Sequence, residues 1–298
     1  MNVSQLQAEY LHFLSDPALW EAANFQRRAQ AVAFAAFVRQ LARARCHDPE
    51  IAALHQETAR LEQGCLRINE AFFSEARRQI RAGLWRGATL RQELERCTSY
   101  RAGHPGQPHL APDGLDVLVR GVLESEPIPP EEGVRMPEMV HLERTPAPAI
   151  LELVDRASLG ENDHFYDLGS GLGQVVFLVH LLTGVAATGV EIEPAYSRYA
   201  RQRAAELQVE GVTFVNADVR LADLNDGTFF FLFTPFTGAV LETVLDRLRV
   251  IASRHPITVA AYGSCSRAIA RHHWLQPQDD YYKHEFKLTL LRSRTERV

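Results

Sequence analysis

The chain has 298 residues, 46% of them hydrophobic, and a formal net charge of -5, which suits one large domain or two ordinary ones with a sizeable core. The first 130 residues balance 15 arginines against 15 acids, leaving 17 basic against 22 acidic residues beyond them. With no basic tail and no dense Lys/Arg run, the charge argues against a nucleic-acid partner.

The start, MNVSQLQAEY, lacks a basic stretch leading into an apolar one, so it does not read as a signal peptide. The longest apolar runs, 31–38 and 175–182, fall short of the about 18–20 residues that cross a bilayer. No membrane segment is expected. Cys46, Cys65, Cys97 and Cys265 are scattered without CxxC spacing, which suggests neither a disulfide framework nor a metal site. Reduced packing thiols and a cytoplasmic location are expected.

Residues 1–125 read as a helical N-terminal domain. Ser4-x-x-Gln7 has the form of a capping box, Asp16-Pro17 and Asp48-Pro49 pair a cap with a first-turn proline, and Thr89-x-x-Gln92 opens a further helix. Phe34, Phe37, Val38 and Leu41 recur at helical spacing on one face. Trp20, Phe25, Phe34, Phe37, Phe72, Phe73 and Trp85 are expected to pack a core. A linker follows over 126–140, where prolines and acids of ESEPIPPEEGVRMPEM sustain no regular structure.

Beyond it, over 141–298, short apolar strands alternate with helices: HFYDLG, GQVVFLVHLLTG, AATGVEI, PAYSRYARQRAAELQ, VTFVNAD, TFFFLFT, GAVLETVLDRLRVIAS, ITVAAYG, SRAIARH and KHEFKLTLLRS. Such alternation implies right-handed crossovers and a doubly wound, mostly parallel α/β sheet. Ligands of these sheets bind at the carboxyl ends of the strands, where strand order reverses. The loop Gly169-Ser170-Gly171-Leu172-Gly173 falls there, after the first strand. By itself it points only to a nucleotide-like ligand.

Three carboxylates sharpen the reading. Glu191 ends the second strand 22 residues after Gly169, where an acid accepts from both ribose hydroxyls and rejects a 2′-phosphate. Asp167 precedes the loop by two residues, a poor neighbour for a pyrophosphate and a good one for an ammonium group. Asp218 ends the third strand, where it can receive the exocyclic amine of an adenine.

DLGSGLG, GVEIEP and the FVNAD ending resemble the successive ligand motifs of the class I S-adenosylmethionine-dependent methyltransferases, over roughly residues 141–293. DLGSGLGQVV, with the RTPAP stretch before it, is also similar to the first motif of the non-SET histone lysine methyltransferases. The resemblance implies a seven-stranded sheet with an antiparallel C-terminal strand and S-adenosyl-L-methionine as cofactor. It places Asp167, Gly169, Ser170, Gly171, Gly173 and Gln174 at the methionine moiety, Glu191 at the ribose, and Asp218 with Val219 at the adenine. Thr145, read as a helix start or N-cap, matches a segment that closes over the cofactor. Glu193 reads as a solvated turn residue.

On the acceptor side the chain departs from amine-methylating relatives, which carry Asn/Asp-Pro-Pro-aromatic after the fourth strand. Here Phe233-Thr234-Pro235-Phe236 stands in that place. A threonine hydroxyl cannot anchor an exocyclic base amine as a carboxamide does. Thr234, Phe236 and Tyr262 are the acceptor-side candidates, and Glu143, Cys265, His272 and His273 are further groups for proton transfer. The acceptor is left open between protein lysine and a small molecule. Two other readings are a cofactor-binding interaction protein without catalysis and an NAD-dependent oxidoreductase. Asp167, Asp218 and the GxGxG spacing count against the oxidoreductase.

Overall fold

The computed structural model describes residues 2–98, 100, 113–125, 127–134, 136–284 and 286–294. Parts of the predicted helical domain (101–112), linker (Glu126, Arg135) and last strand segment (Glu285), and the end at 295–298, lie outside the described residues.

The N-terminal part is helical: α1 (Val3–Ser15), a short 3-10 turn (Pro17–Trp20), α2 (Phe25–Ala44), α3 (Pro49–Arg81), α4 (Gly87–Cys97) and α5 (Gly114–Leu123). Asp48 caps α3 as expected, ahead of Pro49, whereas Asp16 with Pro17 caps only the four-residue 3-10 turn and the long Ala-rich α2 takes its cap from Asn24. Helix α1 is capped by Asn2 with Gln5, not by Ser4 with Gln7, because Asn caps at least as well as Ser and comes first. Helix α4 begins two residues before Thr89. Phe25, Phe73 and Trp85 are buried, whereas Trp20 and Phe37 are each 42% exposed and leave the expected core.

The second part continues with α6 (Ala147–Ala157), β1 (His164–Leu168), α7 (Gln174–Thr183), β2 (Ala186–Glu191), α8 (Pro194–Leu207), β3 (Val212–Asn216) and β4 (Phe229–Phe233). It ends with α9 (Gly238–Ala252), β5 (Thr258–Tyr262), α10 (Cys265–Ile269), β6 (Leu275–Pro277) and β7 (Thr289–Ser293). The seven strands run in the order β3-β2-β1-β4-β5-β7-β6. The first five are parallel, and β7 is antiparallel to both β5 and β6. Three-residue β6 carries too little periodicity to be read from sequence. Strand order reverses between β1 and β4, so the loops after these two strands flank the crevice.

One face of the sheet carries α9 and α10, with Leu245 of α9 in one cluster with Leu168, Phe230 and Val259 of the strands. The other belongs to a contiguous cluster running from Phe25, Phe73 and Leu115 through Leu151 and Val176 to Phe165, Phe229 and Leu290. Helix α5 is the hinge point of that cluster, packing on α2 and α3 and on α4, α6 and α7. A Cβ at Gly121 would lie 2.0 Å from the Phe73 ring, so the close approach requires glycine. The C-terminal carbonyls of α5 are taken by arginines from both sides: Arg77 donates to Gly121 and Val122, and Arg203 to Leu123. No helix among the described residues is long and apolar enough to cross a membrane.

Candidate active site

The glycine loop lies in the crevice after β1. The amides of Gly169 and Ser170 both donate to the Val190 carbonyl, at 2.9 and 3.1 Å, and pin the loop to β2. Each loop glycine is required by a different neighbour. Gly169, at φ 99°, lies against Pro235 from the loop after β4, 2.3 Å from where a Cβ would sit. Gly173, at φ 86°, seats the start of α7 on Phe214 and Ala200 and does not line the cavity. At Gly171 a Cβ would first meet Leu142, 2.5 Å away, a cavity-lining side chain from the segment before α6. Side chains at 169 and 173 would thus meet packed neighbours before any ligand.

Asp167, Glu191 and Asp218 line one cavity of about 1250 Å³, counted out to open solvent. Asp167 is 4% exposed, and no described residue donates a hydrogen bond to its carboxyl group. Burial, with the Glu191 charge nearby, pushes it up to about 8. An uncompensated buried carboxyl is costly, and a cationic ligand group removes the cost. Glu191 is anchored at both oxygens, accepting from Gly171 N at 2.7 Å and Glu193 N at 2.8 Å. Burial raises its pKa, and these two amides partly offset the rise. Asp218 is gripped by Arg220 through its guanidinium and main-chain amide, which holds the carboxyl below its usual range. No helix intervenes between Asp218 and β4 among the described residues, so Asp218 is not a helix cap. Val219 lines the cavity beside it.

Ser170 and Gln174 line the same space, and Ser170 Oγ and Gln174 Oε1 are buried polar atoms without a partner among the described residues. Gln174 donates weakly to the Thr145 carbonyl, at 3.4 Å. Thr145 is buried in the wall but does not cap α6. Asp116 of α5 does so instead, accepting from Ala147 N at 2.8 Å. Glu124, at the end of α5, holds Arg144 by a two-pronged ion pair at 2.8–3.0 Å. The helical part thus fixes the residues on either side of Thr145. Asp116 and Glu124 were invisible to sequence reasoning, because their partners lie 20 or more residues away.

On the acceptor side the chain satisfies its own polar groups. Thr234 sits at φ 39°, a strained region for a β-branched residue. Its hydroxyl donates to the Tyr262 carbonyl at 3.2 Å and accepts from Cys265 N at 3.3 Å. The Pro235 carbonyl accepts from Val140 N at 3.1 Å, and Met139 bridges Phe236. Phe236 lines the cavity while packing in the α9 core. Tyr262 is buried edge-on to Phe233, is pushed up to about 12 mainly by burial, and does not line the cavity. Cys265, His272 and His273 do not line it either, whereas exposed Glu143 does.

Glu193 overturns its reading as a solvated turn residue. It is 8% exposed, caps α8 through Ala195 N and accepts from Glu132 N and Gly133 N. The signal available was Glu193-Pro194, an acid before a proline, which marks a cap and not an exposed turn. Among the described residues no group of His, Cys, Asp and Glu could hold a metal ion.

Residues 140–223 match a family model described as histone methylation protein DOT1. No curated protein matches the chain. Among solved structures, an RNA methyltransferase from Salinibacter ruber in complex with S-adenosyl-L-homocysteine is 24% identical, covering 52% of this chain and 96% of that one, with a TM-score of 0.39. A SAM-dependent methyltransferase from Aquifex aeolicus is 12% identical over 48% and 88% of the two chains, at 0.39. Magnesium protoporphyrin IX methyltransferase from Synechocystis with bound SAM is 15% identical over 49% and 76%, at 0.38. The strand order, the antiparallel β7, the glycine loop at the switch point and the DOT1 segment together give the chain a seven-stranded, Rossmann-like S-adenosylmethionine-dependent methyltransferase fold.

Proposed function

We propose that the chain transfers a methyl group from S-adenosylmethionine to a lysine amine carried on a protein. The observation that carries the cofactor half is Asp167, a buried carboxyl without a donor at the end of β1, inside a cavity shared with Glu191 and Asp218. The residues fit the group. Asp167 would take its ammonium, Glu191 the ribose hydroxyls, Val219 the adenine face and Asp218 the adenine amine. Ser170 and Gln174 offer further polar atoms that the protein leaves unpaired. When bound, S-adenosylmethionine supplies a methyl group activated by a sulfonium. The protein's own task is to align an amine with that carbon and exclude water.

Two observations support a protein amine. The matched family is described by histone methylation. The cavity wall and mouth also hold Glu131, Glu143 and Glu193 against Arg144, which Glu124 neutralises, and His141. Such a mouth attracts a cation. Thr234 and the Pro235 carbonyl are occupied within the chain, which supports excluding a nucleobase amine. A cytoplasmic location belongs to the same proposal and is supported by four free cysteines.

The test is transfer of labelled methyl from S-adenosylmethionine into fractionated lysate. Label on lysine in a protein fraction is expected. Label confined to small molecules would move the acceptor to the small-molecule class. The occupied acceptor-side groups also favour a second reading, a cofactor-binding protein without turnover. Tight cofactor binding with no label in any fraction is its signature.

A further inference from the structure

Residues 131–134 pass over the cavity opposite Glu191–Glu193, and Glu131, Gly133 and Val134 line it. This strap has no regular structure and is tied to the start of α8, with Glu131 also 3.8 Å from His141. Glu193 Oε1 accepts from Glu132 N at 3.0 Å and Oε2 from Gly133 N at 2.8 Å. A Cβ on Gly133 would lie 2.9 Å from Oε2, so a side chain there would press the carboxylate out of its place against the strap amides. Tyr196 donates to Glu131 at 3.3 Å and Arg198 pairs with Glu132 at 2.5 Å, both from α8. The main-chain amide of Glu193 meanwhile holds Glu191 Oε1 at 2.8 Å. One residue therefore joins the carboxylate assigned to the ribose, the cap of α8 and the strap above the cavity. Val134 at the free end of the strap is 98% exposed.

We propose that Glu193 is a positioning residue: it latches strap 131–134 over the adenosine half of the cavity and thereby sets how long the cofactor stays bound. This rests on the cofactor reading given above. Glu193 touches no reacting atom, and its effect falls on cofactor exchange. Burial pushes its carboxyl up, but the three main-chain amides outweigh this and hold it below its usual range, so the latch is charged at neutral pH.

Two variants of the full chain separate the latch from the helix cap. Glu193→Ser keeps a capping oxygen for α8 but is too short to reach Glu132 and Gly133. Gly133→Ala displaces Oε2 from the strap side while Oε1 can still cap α8. Both are expected to keep the parental melting temperature within a few degrees, to release S-adenosylhomocysteine at least about tenfold faster with a smaller change in association rate, and to show faster amide hydrogen exchange over 131–134 without ligand. Parental release rates in both variants overturn the proposal. So does unchanged exchange over the strap. A parent chain that binds no S-adenosylhomocysteine overturns the cofactor reading and the residence claim with it, and the ligand-free exchange result then shows whether the latch itself exists.

Discussion

Asp167 shows what burial does to a single carboxyl group. Its pKa is raised from the model-compound 3.8 to about 8, so between these values the folded protein holds a proton that the unfolded chain has released. Stability from this group is greatest below about pH 4 and is lost as pH rises toward 8. Asp167→Asn keeps the shape without the charge. The ligand-free variant should therefore be more stable than the parent at pH 8 by roughly 2–4 kcal/mol, with little difference at pH 4, in urea melts at the two pH values. It should also bind S-adenosylhomocysteine at least about tenfold more weakly, since the ammonium loses its counter-charge. A variant less stable than the parent at pH 8 sinks the assignment. The loop glycines make a paired prediction. Gly173→Ala puts a methyl group 2.6 Å from the Phe214 ring at φ 86° and should cost about 2–4 kcal/mol of stability. Gly171→Ala is strained at φ 51° but its methyl group meets only the movable Leu142 side chain, so it should cost less stability, about 1–2 kcal/mol, with the larger loss in cofactor binding.

At the scale of elements, α5 acts as a bracket between the helical part and the site. It supplies Asp116 to cap α6 and Glu124 to hold Arg144. Removing the cap with Asp116→Ala should cost about 1 kcal/mol of stability. Because α6 begins directly behind Thr145 and the cavity wall, the same variant should weaken cofactor binding severalfold in a calorimetric titration. Unchanged affinity with lowered stability would mean that α6 is anchored well enough by its apolar face. Helix starts marked by their own side chains, as at Asp48, were legible in the sequence. The start of α6 was not, because its cap comes from residue 116.

For the whole molecule, the arrangement of cores decides whether the N-terminal 125 residues are a separate module. Leu115, Leu118 and Val122 of α5 share a cluster with Leu151, Val176 and Phe229. We propose, accordingly, that the division at 126–140 separates stretches of chain and not independent cores. Deleting residues 1–125 would strip α6 and α7 of their cover, and exposed apolar surface of that kind favours aggregation. The truncated chain is expected to be insoluble or to lack a cooperative melt by circular dichroism. A soluble, cooperatively folding truncation that binds cofactor with parental affinity would restore the two-module reading.

The sequence by itself determined the alternation of strands and helices, the loop at the switch point, and which carboxylates end β1, β2 and β3. These follow from local periodicity and from the rule that ligands meet parallel sheets at their carboxyl ends. Only the tertiary structure decided that Gly169 and Gly173 serve Pro235 and Phe214, that Thr234 turns its hydroxyl to Tyr262 and Cys265, and that Glu193 holds the strap. Each of these pairs residues separated by about 28 to 66 positions in the chain. Such contacts leave no periodic trace in the sequence, because they exist only once the sheet has brought distant loops to one edge.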